Sequence, residues 1–167
     1  MKKDYRVGLM VVIGLVLLDQ ATKWIASATI ALGAKHTVIP GLVYFTHHLN
    51  DGMAWGLLAG ARTFFIAITI AALGLFLYLA KDVDFKTKRL HSYGLALIIA
   101  GALGNFIDRI RTGLVVDFIG FVPLDLISGW LSGRVFPSFN VADMALVFGM
   151  IFFAIDELFF EPKRKRA

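Results

Sequence analysis

The chain has 167 residues, a length suited to one domain, and is 58% hydrophobic with a mean hydropathy of +0.75, where a soluble domain is about half apolar. It contains no cysteine, which excludes disulfides, thiolate metal sites and a cysteine nucleophile. The net charge of +5 lies in short basic blocks between long apolar runs without interleaved aromatics, a membrane-protein pattern that argues against nucleic-acid binding.

Four apolar segments follow in chain order, each long enough to be predicted as a transmembrane helix of about 17–25 residues. The first covers about 7–28. Its start, "MKKDYRVGLMVVIGLVLL", has the basic-then-apolar layout of a removable signal peptide. Asp19, Gln20 and Lys23 break that apolar run, and apolar character resumes beyond them, so a retained span is expected. Residues 35–62 mix aromatic, glycine and polar positions (Tyr44, Phe45, Trp55) and are expected to form a small sheet or interfacial helix covering one end of the bundle.

The second span covers 63–80 and leads into a basic loop with Lys81, Lys86, Lys88 and Arg89. The third covers 92–110, where Ala100 and Gly104 have the small-xxx-small spacing of closely packed helices. Asn105, Asp108 and Arg109 lie near its end, and Asp117 just beyond reads as an interfacial loop residue. Residues 123–133 carry no recognisable motif, and Asp125 there is expected to be exposed. The fourth span, 141–160, opens on Asn140 and Asp143, a favourable helix cap with an acid three residues on. Asp156 and Glu157 near its far end can pair with a basic tail. No long strand-like alternation supports a membrane barrel. The expected fold is therefore an all-α, single-domain membrane protein spanning 1–167, with a small extracytoplasmic element between its first two helices.

Eleven of the 17 Lys and Arg residues fall in the N-terminal tail, the loop between spans two and three, and the C-terminal tail. The positive-inside rule makes that side cytoplasmic, with both termini there. Asp19 then lies roughly 20 Å up the first span at 1.5 Å per residue, in the outer third of the membrane. Asn50, Asp51, Asn105, Asp108, Asp117, Asn140 and Asp143 reach the same side. Charged residues in spans are rare and face the bundle interior or a cavity. Asp19 and Lys23, four apart, could pair on one helix face. Acids from three separate elements at one depth point further, to chemistry.

Two close carboxylates cannot both ionise readily, so one keeps its proton and polarises a carbonyl while the other activates water. This aspartic-protease arrangement needs no metal and no cofactor. The serines form no G-x-S-x-G elbow, and the histidines (36, 47, 48 and 91) form no H-E-x-x-H motif. His47 and His48 are a poor metal pair, since adjacent strand residues point apart. A small proton-coupled transporter is the competing class, but it calls for polar residues through the full depth and, often, inverted repeats. Residue types alone leave Asp108 and Asp117 both open as the partner of Asp143.

Four blocks, "LDQATK" (18–23), "NDGMAWG" (50–56), "GNFIDRIRTGLVVDFI" (104–119) and "FNVADM" (139–144), occur in the order found in lipoprotein signal peptidase. The chain resembles this family of bacterial intramembrane aspartyl endopeptidases, signal peptidase II, over nearly its whole length. The resemblance implies removal of the signal peptide from diacylglyceryl-modified prolipoproteins, by cleavage just before the lipid-modified cysteine. It implies Asp117 and Asp143 as the catalytic pair. Asp19, Lys23, Asn50, Gly52, Asn105, Asp108, Arg109 and Asn140 fall on the residues that bind substrate or support the site. It also implies a multi-pass, monomeric enzyme of the bacterial cytoplasmic membrane with no cofactor, its partners being prolipoproteins and membrane lipids. The helix N-terminus favours a carboxylate, so Asp143 is expected to be the ionised member and Asp117 the protonated one.

Overall fold

The computed structural model describes residues 5–52 and 62–166. Most of the chain is helical. Helix α1 (Tyr5–Thr29) leads into a hairpin, β1 (Lys35–Ile39) and β2 (Val43–Asn50). Helix α2 (Arg62–Leu79) and α3 (Arg89–Arg111) follow, then β3 (Val115–Phe121), α4 (Val122–Ser132) and α5 (Val141–Ile155). A π-helical turn, Asp156–Phe160, joins α5 to the terminal α6 (Glu161–Arg166). Among the described residues three helices are long and apolar enough to cross a membrane: Tyr5–Thr29, Arg62–Asp82 and Arg89–Arg111. The segment expected as a fourth span is divided, with 15 residues of α-helix before the π turn.

Helix α3 is the centre of the bundle. Leu95, Ile98, Ser92 and Ala100 are almost fully buried, whereas α2 has no buried residue and shows its apolar side chains outward. That inversion is the expected one when the solvent is hydrocarbon. Small residues let α3 and α5 touch along their backbones. A Cβ on Gly94 would lie 2.8 Å from the Phe153 nitrogen, and one on Gly149 would lie 2.8 Å from the Ile98 nitrogen. A Cβ on Gly101 would run into the Ala142 carbonyl.

The sheet runs β1-β2-β3, antiparallel throughout. The β1–β2 hairpin lies where a sheet or interfacial helix is expected. The third strand comes from beyond α3, and it corrects the reading of Asp117 as a loop residue: Asp117 is a strand residue in register with His48. Residues 53–61, including Trp55 and about a third of the anticipated cover, lie outside the described residues, as do Lys2 and Lys3.

Candidate active site

Two layers of polar side chains meet where β3 passes the start of α5. The lower layer is ionic. Lys23 Nζ lies 2.9 Å from both Asp19 Oδ2 and Asp108 Oδ2, and donates to Asn105 Oδ1 at 2.9 Å. Its three protons thus have three acceptors. Asp19, Lys23, Asn105 and Asp108 are all buried, with Asp19 only 1% exposed. Charges so far from water persist only when paired and hydrogen-bonded. The other Asp19 oxygen accepts from the Ala142 backbone N–H at 2.9 Å, so α1 supplies an acceptor for an orphan donor in the first turn of α5. Gly104 makes the approach possible, because a Cβ there would lie 2.6 Å from Asp19 Oδ2.

The upper layer holds two carboxylates through amides. Asn140 caps α5: its side-chain oxygen accepts from the Asp143 N–H at 2.9 Å, and its own N–H donates to Asp143 Oδ2 at 3.1 Å. The Asn140 amide also donates to Asp117 Oδ1 at 2.7 Å. Asn50 Nδ2 donates to the other Asp117 oxygen at 2.8 Å, and Asn105 Nδ2 donates to Asp143 Oδ1 at 2.7 Å. Each carboxylate therefore has donors on both oxygens. Lys23 sets this pattern from below, because an ammonium can only donate and so requires the oxygen of Asn105, leaving the Asn105 nitrogen for Asp143.

Asp117 is 1% exposed, and its carboxyl is pushed up to about 7, first by burial and then by the Asp143 charge. Donation from Asn50 and Asn140 opposes that rise. Asp143 is partly accessible. Arg109 places its guanidinium 5.2 Å from the centre of the Phe65 ring and interacts electrostatically with Asp143, Asp117 and Asp108. Gly52 follows Asn50 in a turn, donating to Asn50 Oδ1 at 2.9 Å. Its φ of +105° and the Phe65 ring beside it leave no place for a side chain.

All ten candidate residues thus gather at one end of the bundle. Sequence reasoning overlooked Gln20 as a site residue. Its amide donates to Asp108 Oδ1 at 3.0 Å and lies 3.2 Å from the Gly104 carbonyl and from Asp19 Oδ2. Its polarity inside an apolar helix was the available signal. His47 is not drawn in, since its Nδ1 contacts the Ile30 carbonyl at 3.0 Å. At the far end, Arg164 binds Asp156 and Glu161, and His91 Nδ1 lies 3.2 Å from Glu157 Oε1. That cluster is separate from the carboxylate pair.

A family model described as signal peptidase (SPase) II matches residues 11–159. The chain is 43% identical over 142 residues to a lipoprotein signal peptidase of Listeria monocytogenes serotype 4a, covering 85% of this chain and 86% of that one. It is 41% identical over 167 residues to a lipoprotein signal peptidase of Staphylococcus carnosus, covering 99% of each. A bacterial membrane enzyme solved by the in meso method at 2.3 Å superposes with a TM-score of 0.81 at 38% identity, covering 98% of this chain and 94% of that one. A second such structure, at 1.9 Å, gives 0.80 at the same identity.

Proposed function

The chain belongs to the signal peptidase II family, and from that premise we propose that it cleaves diacylglyceryl-modified prolipoproteins just before the lipid-bearing cysteine, with Asp117 and Asp143 as the catalytic dyad. The observation that carries this reading is Asn140, which binds both carboxylates from the cap of one helix. The pair shares one proton. Asp143 is the ionised member, held at the positive end of α5 with donors on both oxygens. Asp117 is the protonated member, in keeping with a carboxyl raised to about 7.

In the first step Asp143 takes a proton from water, and the resulting oxygen forms a bond to the scissile carbonyl carbon. The Asp117 proton passes to the carbonyl oxygen, giving a neutral gem-diol. In the second step Asp143 returns its proton to the cysteine nitrogen as the C–N bond breaks. One diol hydroxyl gives its proton back to Asp117, so the dyad ends as it began. The acyl chains on the cysteine stay in lipid, which keeps the bond near the membrane surface where the site opens. By this reading α5 and the π turn together make a fourth span, both termini are cytoplasmic, the site faces the outer leaflet of a bacterial plasma membrane, and the enzyme acts as a monomer.

The test is to make Asp117→Asn and Asp143→Asn separately, verify membrane insertion, and follow cleavage of a diacylglyceryl-modified prolipoprotein. Each variant should lose roughly 10²–10⁴-fold or more in rate, while the wild-type enzyme keeps its activity in EDTA. Substantial cleavage by either variant overturns the dyad.

A further inference from the structure

Helix α4 is reversed relative to a helix of a water-soluble domain. Asp125, Ser128 and Ser132 share one face at helical spacing, and Leu126, Ile127, Trp130 and Leu131 make the opposite one. On the polar face Asp125 is turned to the protein and Ser128 is half-buried, while Ser132 at the end of the helix is exposed. Contrary to the sequence expectation that it is exposed, Asp125 accepts from the Tyr44 hydroxyl at 3.0 Å, and its other oxygen is buried. Tyr44 is fixed in turn: it pairs with Gly120 across β2 and β3, a Cβ on Gly120 would fall in its ring, and Lys35 Nζ lies 4.6 Å from the ring centre. The apolar face is bare, with Trp130 86% exposed and Leu126 and Leu131 each 69%. The bare surface continues onto the hairpin, because Val122 N–H donates to the Leu42 carbonyl at 2.9 Å and Val38, Ile39 and Leu42 are exposed beside it.

A contiguous exposed apolar surface marks an interaction site, and three features select lipid as the partner. Eleven residues are too few to cross a membrane but suit an amphipathic helix lying in its surface. The tethers are short: α4 starts five residues beyond Asp117, and Asn140 at the head of α5 follows seven residues after Gly133. At about 3.3 Å per strand residue, the start of α4 stays within roughly 16 Å of Asp117, beside the ends of the spanning helices. Finally, Trp130 and Arg134 pair an interfacial ring with a cation able to meet lipid phosphates. We propose that α4 is a membrane-surface anchor, its Leu126, Ile127, Trp130 and Leu131 face set into the leaflet at the sheet end of the bundle. The Asp125–Tyr44 link couples this anchor to the sheet that carries Asp117, and so fixes the depth of the site in the membrane. The proposal is independent of the peptidase chemistry.

The chain has no cysteine, so single nitroxide labels can be placed without other changes. Ile127→Cys and Leu131→Cys report on the apolar face, and Ser132→Cys on the polar one. The full chain goes into nanodiscs of phosphatidylethanolamine and phosphatidylglycerol, and power saturation compares collisions with oxygen and with a water-soluble nickel chelate. The expected result is a higher oxygen-to-chelate ratio at Ile127 and Leu131 than at Ser132. Equal ratios at the three positions would place the face in water and overturn the proposal. Protection of Ile127 and Leu131 from both reagents would show a covering protein surface, and overturns it equally.

Discussion

Replacing Asn140 separates two tasks that one side chain performs. Asn140→Ala removes the cap on Asp143 N–H and the 2.7 Å bond to Asp117. Asn140→Ser keeps a capping oxygen but has no amide to reach Asp117. A hydrogen bond to a charged partner contributes about 1.5–3 kcal/mol, and 1.36 kcal/mol corresponds to one pKa unit. The bond holds Asp117 down, against burial and the Asp143 charge that raise it. Without it the carboxyl should rise from about 7 to roughly 8–9. A raised acid keeps its proton to higher pH, so the singly protonated dyad survives further into alkali. The assay is kcat/KM for a diacylglyceryl prolipoprotein against pH, since that profile reports the free enzyme's acid and base. The alkaline limb should move upward in both variants, with the maximum rate reduced. Only the alanine variant should lose a further ~1 kcal/mol of stability through the missing cap. An alkaline limb that stays in place, or moves to lower pH, would refute both the role of Asn140 and the assignment of the proton to Asp117.

Lys23→Met leaves Asp19 and Asp108 buried without their cation, and removing one member of a buried pair destabilises by about 3–5 kcal/mol; thermal unfolding in detergent should show it, and an unchanged melting curve would contradict the ionic layer. Gly104→Ala pushes a methyl to 2.6 Å from Asp19 Oδ2 and 3.0 Å from the Ala142 Cβ, and should destabilise by about 1–3 kcal/mol as overpacking does. Gly14→Ala in α1 meets nothing within 4 Å and should leave both stability and cleavage intact, which makes it the control.

Three of the four expected spans were legible because long apolar runs mark them, whereas the fourth is divided by a π turn and α4 had no such mark; the gathering of acids followed from counting basic loops. The site's internal order was less legible. Strand β3 hides in "VVDFIGF" because it is mostly buried on both faces, so it lacks the alternation that marks a half-exposed strand. Its partner β2 lies far away in the chain, and nothing local announces the pairing. Asp108 and Asp117 could not be ranked from residue type, since the difference is which of them Lys23 engages and which of them Asn140 and Asn50 hold. An acid on a short segment without a motif suggests solvent, whereas here Asp125 turns inward to Tyr44.

The Asp19–Lys23 pair has a consequence during synthesis. The two charges are one helical turn apart on α1, so they can offset one another inside the bilayer before α3 and α5 exist. Asp108 and Asn105 arrive more than 80 residues later, and the Ala142 N–H later still. The provisional partner is then shared among newcomers without ever being released. Docking of the late helices thus replaces the self-neutralised pair with the full network, and the carboxylate pair acquires its geometry only once the last helix is in place. A chain caught halfway through insertion holds no assembled protease.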